Sequence, residues 1–274
     1  VPAPRPPGPE RPERRAHHHD RPMAATADLI AHLDALLDAP AFADYGPNGL
    51  QVPGPGEVAH VVTGVSASAE LFERAAALDA DLVLVHHGLF WGEPAGPITP
   101  ALKRRLKLLF DHDLALAAYH LPLDAHPEVG NNALLARALG AARTRPFAEH
   151  RGRPIGLVAE LDPAPSRDAL VARVAEATAR EPLVFPFGPD RVATIGIVTG
   201  SAADDVVEAI ELGLDAFLTG EPAERVMAIA QEGGVTFLAA GHYATETFGI
   251  RALGDRLAER FGVRHTFVDI PNPV

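Results

Sequence analysis

Hydrophobic positions in this chain fall into two rhythms, one helical and one of short buried runs. From Thr26 onward, Leu29, Ile30, Leu33, Leu36 and Leu37 recur at helical spacing behind Thr26 or Asp28 as a cap, and the run ends by Pro40. Residues 44–55 are rich in turn formers, including Gly46-Pro47-Asn48-Gly49. Beyond them, apolar runs at 58–65, 81–85 and 114–119 read as buried strands, separated by amphipathic helices near 69–78 and 99–111. Such alternation predicts a parallel sheet covered by helices.

The same alternation returns near 193–241, with strands at 193–198, 215–218 and 235–240 and helices at 202–212 and 222–231. Val65-Ser66-Ala67-Ser68 leads through a helix to Asp81-Leu82-Val83-Leu84; Thr199-Gly200-Ser201-Ala202 leads through a helix to Asp215-Ala216-Phe217-Leu218. Each copy ends its third strand with a histidine and, four residues on, an acid: His120 with Asp124, His242 with Glu246. Between the copies, 131–139 reads as a helix, 154–160 as a strand and 166–179 as a helix, while 182–189 is broken by proline and glycine. The predicted class is α/β: two similar α/β lobes with mostly parallel sheets covered by helices and a site in the cleft between them. The first lobe takes 23–125 plus 240–274, the second 126–239.

Residues 1–22 hold seven prolines, five arginines and His17, His18 and His19 without hydrophobic periodicity, and read as a disordered tail. Met23 stands where this segment ends, which also fits an alternative start or an appended leader. The His triplet could bind a metal weakly; a solvated tail without function explains it better.

Composition narrows the chemistry. The 274 residues are 47% hydrophobic and 22% charged, enough for a sizeable core, and no apolar run is long enough to span a bilayer. A cytoplasmic protein without membrane partners is the expectation. Zero cysteines exclude disulfides, thiolate nucleophiles and cysteine-ligated metals, so any metal is held by His, Asp or Glu. A net charge of -12 argues against general nucleic-acid binding. Lys103 and Lys107 follow no glycine-rich loop, which removes the P-loop, and Ser66 and Ser68 lack the Gly-x-Ser-x-Gly setting of a serine hydrolase.

Three motifs carry candidate chemistry. In Leu84-Val85-His86-His87-Gly88 a hydrophobic strand runs into adjacent histidines, at the strand end where α/β sheets gather ligands. In Tyr119-His120-Leu121-Pro122-Leu123-Asp124 an imidazole and an acid share one turn and could share a cation. In Gly241-His242-Tyr243-Ala244-Thr245-Glu246 the spacing of four puts His242 and Glu246 on one face if the helix has begun by His242. Each alone also reads as structure: a hydrogen-bonded histidine pair, a surface turn, an exposed helical face. Together, four histidines and two acids at strand ends make coincidence the weaker account. Sulfur-free ligands suit zinc, iron(II), manganese or cobalt, and their number exceeds what one tetrahedral ion uses, so two ions follow. Glu221 in Thr219-Gly220-Glu221-Pro222 either lines the same cleft or starts a helix; Asn48-Gly49-Leu50-Gln51 either touches a ligand or only turns the chain.

These motifs, in this order, resemble the GTP cyclohydrolase 1 type 2 homologue family, also called NIF-three-like or dinuclear-metal-centre hexameric proteins, over 26–274. The resemblance implies a homohexameric toroid and two divalent ions per subunit, zinc, iron or manganese. Carried over by motif, His86 and His242 hold one ion, His87 and Asp124 the other, and Glu246 bridges both. His120 lies beside the centre as a further ligand or proton-transfer group. Where the family commonly has an aspartate, this chain has Ser66; the chain is also too short for the domain inserted in some members. The function implied is a metal-dependent hydrolase using a metal-bound hydroxide on a small molecule such as a nucleotide, with His120 as general acid or base. The alternative is a non-catalytic metal-binding, regulatory or metal-delivery protein.

Overall fold

The computed structural model describes residues 22–92 and 96–274. Most of the tail expected at 1–22, with its His triplet, lies outside the described residues. Elements are numbered in chain order. One sheet runs β13 (Arg264–Phe267), β4 (His60–Ser66), β5 (Leu82–His87), β6 (Ala115–Ala118), β2 (Gly49–Val52). All its pairings are parallel except β2 on β6. The other runs β7 (Ala141–His150), β8 (Arg153–Leu161), β10 (Thr194–Ile197), β11 (Ala216–Thr219), β12 (Thr236–Ala239), β9 (Leu183–Pro186). Here only β10, β11 and β12 are mutually parallel, and antiparallel strands flank them. A short ribbon pairs β1 (Ala24–Ala25) with β3 (Glu57–Val58).

Strict alternation explains why the central strands are buried on both faces. In β4, β5 and β6, Val61, Leu82, Leu84, Ala115 and Ala117 pack with Leu29 and Leu33 of α1 (Thr26–Leu37) and Ile250, Leu253 and Leu257 of α10 (Thr247–Phe261). Their neighbours Val62, Val83, Val85, Leu116 and Ala118 face Leu71, Phe72 and Ala75 of α2 (Ala69–Ala77) and Leu109 of α3 (Pro100–Asp111). In the second sheet, Phe217 and Phe237 pack under α7 (Val206–Glu211) and α8 (Val226–Gly233), while Ile195, Ala216 and Leu218 meet α5 (Asn131–Ala138) and α6 (Arg167–Thr178).

The internal repeat extends to side-chain detail. Asp81 Oδ2 accepts from the Ala59 and His60 amides at 2.8 and 3.0 Å, and Asp215 Oδ2 from the Ala193 and Thr194 amides at 2.8 and 2.9 Å. In each copy, then, the acid that opens the second strand fastens the start of the first. Ser68, Thr99 and Ser166 cap α2, α3 and α6 by accepting from the amide three residues on. The expected cap of α1 differs: Ala25 occupies the position without a side-chain bond, and Thr26 Oγ1 instead donates to the Pro55 carbonyl at 2.6 Å. Strands β1, β2, β7, β9 and β13 add to the expected set.

Candidate metal centre

The carboxyl ends of β5, β6, β11 and β12 meet between the sheets, and each delivers polar groups there. His86 and His87 end β5. His120 follows β6, and Pro122 sits in the first turn of α4 (Leu121–Ala125), which carries Asp124. Glu221 follows β11. Gly241, at φ 93°, turns the chain out of β12 into α9 (His242–Thr245), and Glu246 joins α9 to α10.

The outer atoms of these side chains are anchored. His86 Nδ1 lies 2.9 Å from the Tyr119 carbonyl, which only accepts, so this nitrogen carries the proton. By the same logic His242 Nδ1 donates to Glu221 Oε1 at 2.5 Å and His120 Nδ1 to Asp44 Oδ1 at 2.7 Å. His87 Nδ1 is 3.0 Å from Ser66 Oγ, so this serine holds a histidine in place. Asp124 Oδ1 accepts from Asn131 Nδ2 at 2.8 Å and Thr199 Oγ1 at 3.3 Å. Such outer contacts fix tautomer and ring orientation in metal sites.

The inner atoms converge. His86 Nε2 lies 3.4 Å from both Asp124 Oδ2 and Glu246 Oε1. His87 Nε2 is 3.2 Å from Glu246 Oε2, and His242 Nε2 is 3.1 Å from Glu246 Oε1. Yet His86 Nε2 and Glu246 Oε2 are buried without a hydrogen-bond partner. With Nδ1 protonated, His86 turns a lone pair toward two carboxylate oxygens, and only a cation among them relieves that repulsion. Without a metal the cation is a proton. Burial pulls the His86 pKa down, but Asp124 and Glu246 outweigh it and raise it well above the usual value. Burial likewise lowers His242, and Glu246 with Glu221 lifts it to about 9. Glu246 stays well below the carboxylate range, because His86, His87 and His242 overcome its burial. For His87, burial dominates and the pKa is lowered. The donor set therefore fits divalent cations, whose binding displaces protons.

Among the described residues three groups place ligand atoms within 4.8 Å of one another: His86, Asp124 and Glu246; His87, His242 and Glu246; and His86, His87 and His120. All six residues singled out from the motifs thus come together. Within these groups Asp124 lies with His86 and His242 with His87, and Glu246 is common to both. His120 and Asp124 do not share one group. The sequence reading left Glu221 open and missed Asp44, Asn131 and Thr199; Asp44 sits in a stretch whose turn formers masked it.

Fold and centre define a class: two-lobed α/β proteins with a cysteine-free histidine and carboxylate cluster between the lobes, able to hold metal ions. The chain belongs to the Duf34/NIF3 (NGG1p interacting factor 3) family, matching it over residues 24–273. It is 46% identical over 250 residues to a Pseudomonas aeruginosa protein named GTP cyclohydrolase 1 type 2 homolog, covering 91% of this chain and 98% of that one. A protein of the same name from Archaeoglobus fulgidus is 40% identical over 245 residues, 89% and 98% of the two chains. Among solved structures, protein ybgI, described as of unknown function, matches with a TM-score of 0.86 and 40% identity over 92% of this chain and all (100%) of that one. The protein TTHA1606 from Thermus thermophilus matches at 0.84 with 39% identity over the same shares, 92% and 100%.

Proposed function

We propose that the protein is a dinuclear metal-dependent hydrolase acting on a small molecule, a nucleotide such as GTP, and that it works in the cytoplasm as a homohexamer. The observation that carries this reading is the pair of inward-facing, buried and unpartnered atoms, His86 Nε2 and Glu246 Oε2, amid side chains whose outer atoms are all anchored. His86 and Asp124 would hold one ion, His87 and His242 the other, and Glu246 would bridge them. Bound divalent cations supply Lewis acidity, lowering the pKa of water and polarising the bond to be cut.

The chain's own residues do the rest. His120 offers Nε2 beside His86 and His87, and Asp44 holds its Nδ1–H, so His120 can take a proton from water and return it to a leaving group. Access favours turnover over storage: the His87 and His242 side chains are 18% and 26% exposed and line a cavity of about 120 Å³ with Ser66 and Glu221. The names of the 39–46% identical relatives support the nucleotide. None of the described helices is long and apolar enough to cross a membrane.

The test is metal analysis of the purified protein together with hydrolysis of GTP and other nucleotides by the wild type, Glu246→Ala and His120→Gln; light scattering checks the hexamer. Two ions per chain are expected in the wild type, loss of both ions and turnover in Glu246→Ala, and retained metal without turnover in His120→Gln. A wild type that holds its ions but hydrolyses no nucleotide overturns the hydrolase and leaves a metal-binding role.

A further inference from the structure

The rim of the centre is aromatic, which metal binding alone does not require. Trp91, the single tryptophan of the chain, is 45% exposed, yet its ring centroid lies 5.2 Å from that of His120 and 5.9 Å from that of His87. Its indole N–H is tied to the Gly88 carbonyl at 3.1 Å, which fixes the ring and leaves its π surface as what it offers. Tyr45, 43% exposed, approaches the other side of this neighbourhood with its ring 6.1 Å from His120.

The two loops bearing these rings are clasped together. The Gly92 amide donates to the Tyr45 carbonyl at 2.8 Å; Gln51 accepts from the Leu89 amide and donates to the Pro47 carbonyl, both at 2.8 Å. The rings are therefore presented by a preformed frame.

A cation completes the rim. The β7–β8 hairpin of the second sheet turns at Arg151 and Gly152, both at positive φ, and reaches the 42–45 loop of the first lobe. Arg151 stacks on Tyr45 with its guanidinium carbon 4.2 Å from the ring centre and forms no ion pair among the described residues. Tyr45 and Arg151 also line a cavity of about 840 Å³ with Phe42, Asp44, Asn48 and Phe90. In a chain of net charge -12, an uncommitted arginine on an aromatic ring beside an acidic centre is suited to an anion attached to a flat ring.

We propose that Trp91, Tyr45 and Arg151 form a recognition site, beside the histidine and carboxylate centre, for a planar heteroaromatic ring bearing an anionic arm. The ring stacks on the rim next to His120 and the arm turns toward Arg151. This rests on the reading that the centre faces a small molecule, and it adds which residues select that molecule.

The sole tryptophan is its own reporter. The full-length protein, its metal content measured, is titrated with guanosine monophosphate, guanosine and ribose 5-phosphate while Trp91 emission is followed with correction for ligand absorbance. Saturable quenching is expected from the first two and none from the third, with the monophosphate bound about tenfold more tightly than guanosine. Arg151→Gln should erase that tenfold gap and leave guanosine binding unchanged. Tyr45→Ala should weaken both by about 5- to 150-fold. Unfolding midpoints equal to the wild type's establish that both variants fold, as expected for two exposed side chains. The inference is overturned if neither guanine ligand quenches, if ribose 5-phosphate displaces the monophosphate as well as guanosine does, or if Arg151→Gln keeps the gap. A wild type that holds metal without quenching defeats this inference alone; one that quenches without holding metal defeats the dinuclear reading alone.

Discussion

Asp44→Asn separates the role proposed for His120 from that of the candidate metal ligands. The Asp44 side chain is 2% exposed and its two oxygens serve four donors. Oδ1 accepts from the Tyr45 amide at 2.6 Å and His120 Nδ1 at 2.7 Å; Oδ2 accepts from Asn48 Nδ2 and the Leu121 amide, both at 2.9 Å. These bonds, that of His120 first among them, overcome burial and keep the carboxyl below its ordinary pKa. An asparagine must put an NH2 group at one of the two places. At the Oδ2 place it would orphan the Leu121 amide and face the amide of Asn48. Asn48 cannot flip freely, because its Oδ1 accepts from the His120 amide at 2.8 Å. At the Oδ1 place it orphans only the exposed Tyr45 amide, provided His120 gives up its Nδ1 proton and accepts instead. The second arrangement costs less, so the substitution should move the His120 proton from Nδ1 to Nε2. Loss of the charge-assisted bonds should destabilise the protein by about 1.5–3 kcal/mol, read by urea unfolding. With Nε2 protonated, His120 no longer has a lone pair toward His86 and His87, and the proposed hydrolysis should fall by about 10²–10⁴-fold. Nitrogen-15 spectra of histidine-labelled protein report the tautomer directly. An unchanged His120 tautomer at Nδ1 in a folded Asp44→Asn protein refutes the hydrogen-bond reasoning, whatever the activity does.

Three further outcomes follow from packing and charge. Asp81→Ala and Asp215→Ala each strip the acceptor from two consecutive strand amides, and both should lose a similar 2–4 kcal/mol in urea unfolding, about 1–2 kcal/mol per bond; a large disparity would count against their equivalence in the repeat. Gly220→Ala places a methyl 2.5 Å from the His242 Cα and 2.6 Å from the Gly200 carbonyl, so it should cost about 1–3 kcal/mol and reduce bound metal in the same preparation, whereas full metal occupancy would show that the turn has room to yield. His60 is fully buried and accepts from Arg264 Nη2 through Nδ1 at 2.6 Å; burial first, then the Arg264 charge, lower its pKa from 6.5 to about 4. The unfolded chain binds this proton more readily than the folded one, so stability is complete above pH 6.5 and falls as the pH drops toward 4, by up to about 3 kcal/mol. Unfolding free energies of the wild type and His60→Gln across that window should diverge in slope, and parallel curves would exclude His60 as the source.

The sequence disclosed the strands that its chemistry marks and hid those that it does not. β4, β5, β6, β10, β11 and β12 lie inside the sheets and are covered on both faces, so their runs are apolar without interruption. β7 lies at a sheet edge with Arg143, Thr144 and Arg145 exposed, and no burial imposes a hydrophobic rhythm on it. β9 is the opposite edge, where Pro186 is tolerated because the sheet needs no further donor there. β2, four residues in a turn-rich stretch, carries too short a signal to separate from the turn before it.

The same division explains the centre. Its inner ligands are dense in motif because they cluster at strand ends, but their anchors lie far off in the chain: Asp44 is 76 residues from His120, and Thr199 is 75 from Asp124. Which ligand joins which was also beyond the motif, and here the strand period decides. His86 continues the face of Leu82 and Leu84, against which α10 and Leu123 of α4 pack, so it is directed to Asp124 and Glu246. His87 continues the face of Val83 and Val85, and so meets Glu246 from its other side, where His242 of α9 completes the group. The two adjacent histidines leave β5 on opposite faces and reach different oxygens of Glu246, Oε1 and Oε2, while their rings stay 4.7 Å apart and share the third group with His120; Glu246 can belong to both carboxylate groups because it stands at the junction of α9 and α10. Shifting β5 by one residue would exchange the two imidazoles and break both groups at once, so the register that buries Leu82 and Leu84 is the same constraint that builds the centre.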